Sequence, residues 1–315
     1  MILMPLAAAL FMLVQAAAQP DLPAILSRIA EESEALQQNA PKSISQETLE
    51  QRTLMPSNRF RPRAGSAALD PPKPRIVVRQ IVSEYSVGTI KDSASRNLTE
   101  LRQVFSVDGR KVQSVASARH ALSLGIQSPD DRVRKRMLED FARYGLVDIA
   151  TDYGIFLLAF SRRAQEFLSV VPGGEERVGP DQAWALNWTQ TGEAPGVLEF
   201  IGNQAAHRKL SGRILVRKSD GLPLRIQAWS EHSQPGGRRI RDDATVDYVL
   251  SAHGFLTPAS VLHRHQIDGV VITENLYRYE PFRQFGADTE IKFTELDTPP
   301  PAVKPPPVKT IPVKK

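Results

Sequence analysis

The chain has 315 residues and a formal net charge of +5, and 41% of its residues are apolar and 24% charged. A chain of this length and apolar content buries a substantial core, which excludes a wholly disordered protein. It contains no cysteine, which excludes disulfides, iron–sulfur clusters, thiol catalysis and a lipid anchor attached through an N-terminal cysteine. The mild excess of basic residues permits contact with an anionic surface but requires none.

The first eighteen residues are typical of an export signal. Residues 1–14 are almost entirely apolar, and small residues at Ala16 and Ala18 suit the positions that a signal peptidase inspects. We expect cleavage near Ala18, which predicts a periplasmic or secreted protein. The apolar run lacks a preceding basic residue, so an uncleaved N-terminal anchor is the alternative.

Residues 19–74 are predicted to form a helical N-terminal segment followed by a linker. Apolar residues at helical spacing over Leu22–Leu36, with Asp21 as the N-cap, indicate an amphipathic helix. Ser43–Gln46 resembles a capping box, which predicts a second helix through about Thr53. The Pro-rich, basic stretch that follows is predicted to be a linker ending near Pro74.

From Arg75 the pattern changes to that of strands. Ile76–Tyr85 and Gln103–Val107 are rich in β-branched or aromatic residues, and Asp108-Gly109 predicts a tight turn into a strand over Arg110–Ser114.

Two helical segments are predicted next. Ser128 as the N-cap and Gly145 as the stop delimit a helix whose buried side includes Leu138 and Phe141 and whose basic side we expect to be solvated. Residues 153–160 are apolar all round and therefore buried. Eight residues are too few to distinguish a helix from a strand by periodicity, and we favour a helix capped by Asp152.

The rest of the chain is predicted to be an antiparallel meander, because short turn sequences such as Asp268-Gly269 separate the strand candidates. With the earlier strands the total is roughly eleven, enough for a strongly curved sheet or barrel. The candidates are Gln165–Val171, Gln182–Thr189, Val197–Ile201, Leu210–Lys218, Leu222–Ser230, Thr245–Ser251, Phe255–Gln266, Val270–Tyr279 and Glu290–Thr294.

The sequence carries none of the common signatures of enzymes that bind phosphates, use a serine nucleophile or hold zinc on a helix. We therefore predict a protein that is not an enzyme and has no cofactor. His263 and His265 are weak metal candidates, since residues two apart in a strand share a face and Glu274 on the next strand could be a third ligand. The commoner role for such a pair is structural.

Two stretches resemble the outer-membrane lipoprotein carrier (LolA/LolB-like) superfamily. They are GRILVRKSDGLPLRIQAW at 212–229 and DATVDYVLSAHGFLTPASVLHRHQIDGVVITENLYRYEPF at 243–282. Residues 166–188 also fit the family's pattern, and the likeness is closer still to secreted bacterial proteins of unassigned function that carry the same turns. The resemblance covers roughly residues 75–293 and involves turns and strand starts rather than catalytic residues.

The resemblance implies an α+β fold in which a strongly curved antiparallel half-barrel of about eleven strands wraps around helices. We assign this domain to residues 75–296 and expect residues 297–315, rich in proline and lysine, to be a disordered tail. The half-barrel implies an apolar cavity for acyl chains, although an ordinary filled core is the open alternative. The candidate cavity residues are Leu138, Phe141, Phe156, Leu157, Phe160, Trp229, Tyr248 and Tyr277.

Two functions follow as expectations. The first is a secreted, non-enzymatic binding or carrier protein for a lipid or lipoprotein acyl group in the cell envelope. The second is an envelope interaction or sensor module that binds a protein or wall polymer, with the half-barrel as scaffold. In either case the Pro/Lys tail could lie on an anionic membrane or wall, and no nucleic-acid partner is predicted.

Overall fold

The computed structural model describes residues 20–56, 74–90, 97–147, 152–192, 198–201, 204–207, 209–233 and 236–285. The predicted signal at 1–18, the tail at 297–315, the strand Glu290–Thr294 and most of the linker lie outside the described residues. None of the helices in these ranges is long and apolar enough to cross a membrane.

Four helices and fourteen strands make up these ranges. The helices are α1 (Leu22–Asn39), α2 (Val115–Gln127), α3 (Asp131–Ala142) and α4 (Arg162–Gln165), with 3-10 turns at Ala40–Lys42 and Phe156–Phe160. The strands are β1 (Ser43–Met55), β2 (Arg75–Ile90), β3 (Asn97–Val107), β4 (Arg110–Lys111), β5 (Leu168–Val178), β6 (Asp181–Gln190), β7 (Leu198–Ile201), β8 (Gln204–His207), β9 (Ser211–Arg217), β10 (Pro223–Ser233), β11 (Arg239–Leu250), β12 (Leu256–Ile267), β13 (Val270–Tyr279) and β14 (Arg283–Gln284).

Twelve of these strands form one antiparallel sheet in the order β4-β3-β2-β1-β13-β12-β11-β10-β9-β6-β5, with β14 paired to β1 beside this path. Its two ends do not pair with each other, so the sheet is open, and β7 and β8 form a separate hairpin. This is the α+β half-barrel that the sequence predicts, with about the predicted number of strands.

The prediction of a helix over residues 43–53 is wrong, because these residues form β1. Along β1 the buried side chains alternate, as the period of a strand requires, but most of them are polar. The polar character hid the alternation and made Ser43–Gln46 resemble a capping box. β1 lies between β2 and β13, so the domain boundary expected near Pro74 falls inside the sheet.

The region between β3 and β5 also differs from the prediction. The strand expected over Arg110–Ser114 shrinks to the two residues of β4, and Ser114 instead caps α2, which the sequence analysis missed. The helix α3 is confirmed, but Asp130 rather than Ser128 is its N-cap. The helix predicted over 153–160 is a 3-10 turn at Phe156–Phe160. The first strand of the meander begins at Leu168 because α4 occupies the preceding residues.

The helices cover both faces of the sheet. We name the inner face as the one carrying Leu49 and Ile226, which pack in a single large cluster with Ile29 of α1 and Phe160. The helices α2 and α3 pack on the other face of β1–β3, where a smaller cluster joins Ile44, Leu101, Leu122 and Met137 with the partly buried Leu138. Near its end α3 also contributes Phe141 to the main cluster.

Candidate functional site

The inner face carries a continuous row of apolar side chains that crosses seven strands from β1 to β6. Each member lies opposite the next in the antiparallel register, and all are buried in the main cluster. The row consists of Leu49, Tyr277, Val261, Val246, Ile226, Ile214 and Leu186.

Helix α1 and the short segment Asp152–Phe160 pack together on this row. We name Asp152–Phe160 the plug. Its 3-10 turn buries Phe156, Leu157 and Phe160, and the two phenyl rings pack against the indole of Trp188 at centroid distances of 5.7 and 5.5 Å. The Leu157 N–H donates to the Tyr248 hydroxyl at 3.0 Å, and burial raises the pKa of that tyrosine. The inner face is therefore filled in this structure.

The carboxylate of Glu100 on β3 holds the start of the plug. It accepts hydrogen bonds from the N–H groups of Asp152 and Gly154, both at 2.8 Å, and from the Tyr85 hydroxyl at 3.0 Å. In return the Asp152 carboxylate accepts from the Glu100 N–H at 2.8 Å and from the Thr99 hydroxyl at 3.3 Å. We name this reciprocal contact the latch.

Asp152 is unusual in two ways. Its backbone has a positive φ of 69°, a conformation that aspartate tolerates better than most residues. Burial, reinforced by the charge of Glu100, raises the pKa of its carboxyl from about 3.8 to about 7. The latch is therefore sensitive to proton concentration near neutral pH.

Arg102 forms an ion pair with the Glu100 carboxylate of the latch. Its guanidinium bonds both oxygens of Glu47 at 2.7 and 2.8 Å and one oxygen of Glu100 at 2.8 Å. The rings of Tyr85, Phe141 and Tyr277 surround it at 5.0–5.4 Å, so the charges are buried. Burial raises the pKa of Glu47. Burial also disfavours the charged form of Arg102. The charges of Glu47 and Glu100 together have the larger effect, so the pKa of Arg102 is raised above its usual value.

A second polar chain ties the segment before the plug to the inner face. The side-chain amide of Gln51 donates to the Val147 carbonyl at 2.8 Å and accepts from the Val147 N–H at 3.0 Å. It also donates to the Asn275 side-chain oxygen at 2.6 Å. These bonds orient both amides so that the Asn275 NH₂ faces His263 Nδ1 at 3.2 Å, and His263 Nε2 lies 3.6 Å from Asp242.

The two histidines share the inner face as predicted, but Glu274 does not join them. Glu274 points to the opposite face, where it bonds Arg264 at 2.8 Å. His265 Nδ1 instead lies 2.7 Å from Asp242, and His263 stacks on the Tyr153 ring at 5.2 Å. In the described ranges no three histidine or carboxylate side chains are arranged to hold a metal. His263 is thus the member of the pair that packs on the plug.

The structure brings most of the predicted cavity residues together and excludes two. Phe141, Phe156, Leu157, Phe160, Tyr248 and Tyr277 all lie in the main cluster. Leu138 packs in the separate cluster on the other face. Trp229 is also misplaced by the prediction, because its neighbour Ala228 faces inward and the indole lies outside, under Arg241 at 5.5 Å. Successive residues of a strand face opposite sides of the sheet, so Ala228 and Trp229 cannot both face inward.

The charged residues that hold and support the latch were missed by sequence reasoning. Glu47, Glu100 and Arg102 look like ordinary surface charges, since nothing in the sequence brings them together. One signal was present: in β1 the polar side chains at 45, 47, 51 and 53 share the alternation of Leu49. Alternating polar residues in a strand are usually solvated, and here they are buried.

Two open surface grooves of about 510 Å³ each lie outside the inner face. One is lined by α1 and α4 residues, among them Leu22, Leu26 and Gln165. The other lies at the ends of β1, β2, β12 and β13, where it is lined by residues such as Leu54, Ile76 and Val271.

No family model and no curated protein matches the chain. Among solved structures, a LolA superfamily protein from Nitrosomonas europaea matches at 10% identity and a TM-score of 0.30, covering 82% of this chain and 93% of that chain. A DUF1329 family protein from Desulfovibrio piger matches at 10% identity and 0.35, covering 83% and 94%. An outer membrane lipoprotein-sorting protein domain from Vibrio parahaemolyticus matches at 9% and 0.32, covering 84% and 93%. Since each TM-score is below 0.5, the half-barrel assignment rests on the open sheet itself.

Proposed function

We propose that the chain is an exported, non-enzymatic binding protein that holds a lipid or lipoprotein acyl chain on its inner face, in the space that the plug fills here. The observation that carries the proposal is the seven-strand apolar row, which is covered by α1 and by a plug whose regular part is only five residues long. An acyl chain has the same apolar character as the side chains that the plug buries, so it can replace them along the row.

The energetics of exchange favour this role. Burying the large side chains of the plug contributes roughly 1.5–3 kcal/mol each, and each buried methylene of an acyl chain contributes about 0.8 kcal/mol. A long acyl chain therefore offsets the exposure of Phe156, Leu157 and Phe160. What remains is the cost of the latch and of the Leu157–Tyr248 hydrogen bond, each bond contributing about 1 kcal/mol.

The proposal requires the plug and an acyl ligand to compete for the inner face, so weakening the plug should strengthen ligand binding. Replacing Phe156 by alanine removes one of the rings packed on Trp188, which weakens the plug without touching the row. We expect the affinity for cis-parinaric acid, a fluorescent fatty acid, to rise about tenfold, measured by energy transfer from tryptophan. The control is Val249→Ala, an exposed position elsewhere on the sheet.

A second measurement does not depend on a variant. Protein purified after export without detergent should carry a roughly stoichiometric acyl lipid in its organic extract, seen by mass spectrometry. A clean extract, together with folded Phe156→Ala protein that ignores the probe, would mean that the plug is a permanent part of the core.

Export is tested separately. We infer from the apolar leader that the mature chain is periplasmic or secreted. N-terminal sequencing of exported protein should give a first residue near Gln19, whereas recovery of the full-length chain in the membrane fraction would support the uncleaved anchor.

A further inference from the structure

The strand β2 extends beyond its neighbour β3. β1 pairs with β2 from Arg75 to Ser86, whereas β3 pairs with it only from Ile81 onward. Along Arg75–Gln80 one side of β2 therefore has no neighbouring strand among the described residues. We name these six residues the β2 step.

The backbone of the step is directed toward this open side. The Gln80 N–H donates to the Asp108 carboxylate at 2.8 Å, and its carbonyl accepts from the Asp108 N–H at 2.7 Å. Asp108 lies in the turn that ends β3, so the backbone groups of Gln80 point away from β1. Because this direction repeats every second residue, Val78 and Ile76 present their N–H and carbonyl groups to the same side.

The side chains of the step alternate between two faces, with Ile76, Val78 and Gln80 on one face and Arg75, Val77 and Arg79 on the other. Ile76 and Val78 lie on one face and are 67% and 56% exposed, which is high for large apolar residues. Arg75 and Arg79 lie on the other face, and Arg79 forms a 3.2 Å ion pair with Asp108.

The neighbouring hairpin adds to the positive charge. Arg110 and Lys111, both exposed, directly follow the turn that closes the step. The step and its border thus carry four cations and the carboxylate of Asp108. They lie beside the backbone of Ile76 and Val78, which has no neighbouring strand on this side among the described residues. Such an edge is a template for a further strand.

We propose that the β2 step binds an extended segment of a partner protein in which apolar and acidic residues alternate, added to the sheet as one more strand. Opposite residues of paired strands lie on the same face. Apolar residues of the segment would therefore pack on Ile76 and Val78 while its carboxylates meet Arg75 and Arg79. The inference is independent of acyl-chain binding on the inner face.

Charge disfavours a second copy of this chain as the occupant. If two steps paired antiparallel about Val77, Arg75 of each copy would lie opposite Arg79 of the other. Like charges directly opposite each other destabilise a strand pair. An acidic segment reverses the sign of both contacts.

The test uses a labelled heptapeptide of alternating valine and glutamate, titrated with the full chain and followed by fluorescence anisotropy. We expect it to bind at least tenfold more tightly than a valine–lysine peptide of the same pattern. N-methylation of its valine amides, which face the step, should abolish binding, whereas N-methylation of its glutamate amides should not. Equal binding of the two peptides, insensitivity to N-methylation, or a Kd weaker than about 1 mM would overturn the proposal.

Variants of the chain provide the second arm. Val78→Pro removes a donor that faces the step and leaves the ladder to β1, so the heptapeptide should no longer bind. Arg75→Glu should weaken the valine–glutamate peptide at least tenfold and favour the valine–lysine peptide, while Arg136→Glu makes the same charge change on exposed α3 surface and should do neither. If the proline variant does not fold, the charge variants and methylated peptides decide. A dimer that Val78→Pro abolishes would replace the partner segment by a second copy.

Discussion

Glu100 and Arg102, neighbours on one side of β3, connect the plug to the sheet by charge. Glu100 divides its oxygens between two plug N–H groups, a tyrosine and Arg102. Arg102 in turn is the counterion for Glu47 on β1. A buried charge is tolerated only when it is paired, so each of the three depends on the other two.

Replacing Arg102 by methionine should therefore be severe. It leaves two buried carboxylates without their counterion, and we expect the free energy of unfolding to fall by about 3–5 kcal/mol in urea titrations. Adding Glu47→Gln should recover part of the loss by removing one of those charges. Arg136→Met, on exposed surface, should change stability by less than about 0.5 kcal/mol. A loss as small as this control for Arg102→Met would contradict the buried network.

Gly154 is required by close approach rather than by backbone angle. A β-carbon there would lie 2.5 Å from a Glu100 carboxylate oxygen and 3.2 Å from the hydroxyls of Tyr85 and Tyr279. We expect Gly154→Ala to cost about 1–3 kcal/mol by overpacking and to speed amide exchange at the start of the plug. Ser161→Ala at the other end, where the side chain makes no capping bond, should be nearly neutral. Equal effects of the two substitutions would count against the latch.

Sequence reasoning predicted burial of the apolar residues of the plug but not of these charges. Phe156, Leu157 and Phe160 stand in an apolar run and predict their own burial. Glu47 and Arg102 are buried only because pairing of β1, β2 and β3 places them together, and their local sequence resembles that of a solvated surface.

At the scale of elements, the plug is an irregular segment held by side chains at its start, middle and flanks. Glu100 holds its first residues, Tyr248 its centre, and Gln51 the chain just before it. Its own backbone hydrogen bonds are few, such as that from the Phe156 N–H to the Tyr153 carbonyl at 3.0 Å, so the segment also depends on these partners. Its stability therefore follows the state of those partners, including their protonation.

The raised pKa of Asp152 determines whether the plug opens more or less readily as the pH rises. Because the closed latch raises that pKa from about 3.8 to about 7, the closed form binds the proton more tightly than the open form. Protonation of Asp152 therefore stabilises the closed latch fully below about pH 4, and this stabilisation is lost as the pH rises through about 7. Opening should therefore become more frequent with rising pH.

The measurement is exchange of the Gly154 amide proton, corrected for the intrinsic effect of pH. Between pH 4 and 7 we expect the opening equilibrium to rise by up to about tenfold per pH unit. Asp152→Asn keeps an acceptor and tolerates the positive φ, so it should flatten this dependence. Asp140→Asn on α3 should leave it unchanged. A flat profile in the unmodified chain would show that the latch does not titrate.

Element types were predictable where periodicity and burial agreed. The Leu22–Leu36 pattern predicted α1 correctly, including Asp21, whose carboxylate accepts from the Ala24 N–H at 3.2 Å. The same reasoning failed for β1, because the capping-box pattern of Ser43 and Gln46 was given more weight than the alternation of the strand. It also failed for α2, because the small residues of that helix give only a weak helical pattern.

For the whole molecule, the position of β1 decides what can fold. β1 pairs with β2 over twelve residues and with β13 over seven, so it occupies the middle of the sheet. A fragment of residues 75–296, the domain expected from the sequence, should lack cooperative thermal unfolding by circular dichroism, while a chain beginning at Pro20 should retain it. Cooperative unfolding of the shorter fragment would mean that β2 and β13 can pair directly.

The open antiparallel sheet was predictable because its evenly spaced turns, such as Ser219-Asp220-Gly221, mark successive strands. The plug's contacts and the β2 step were not, because both arise from relative strand lengths and offsets. Those quantities depend on pairings such as that of Gln51 with Asn275, 224 residues apart.

The same pairing bears on biogenesis. Among the described residues β1 is the first strand and β13 the last long one, and Gln51 meets Asn275 across 224 residues of chain. One edge of β1 must therefore stay without its partner until β13 has been synthesised, exposed meanwhile to wrong pairings. Completion of the sheet follows synthesis of β13, which makes folding of this domain mostly post-translational.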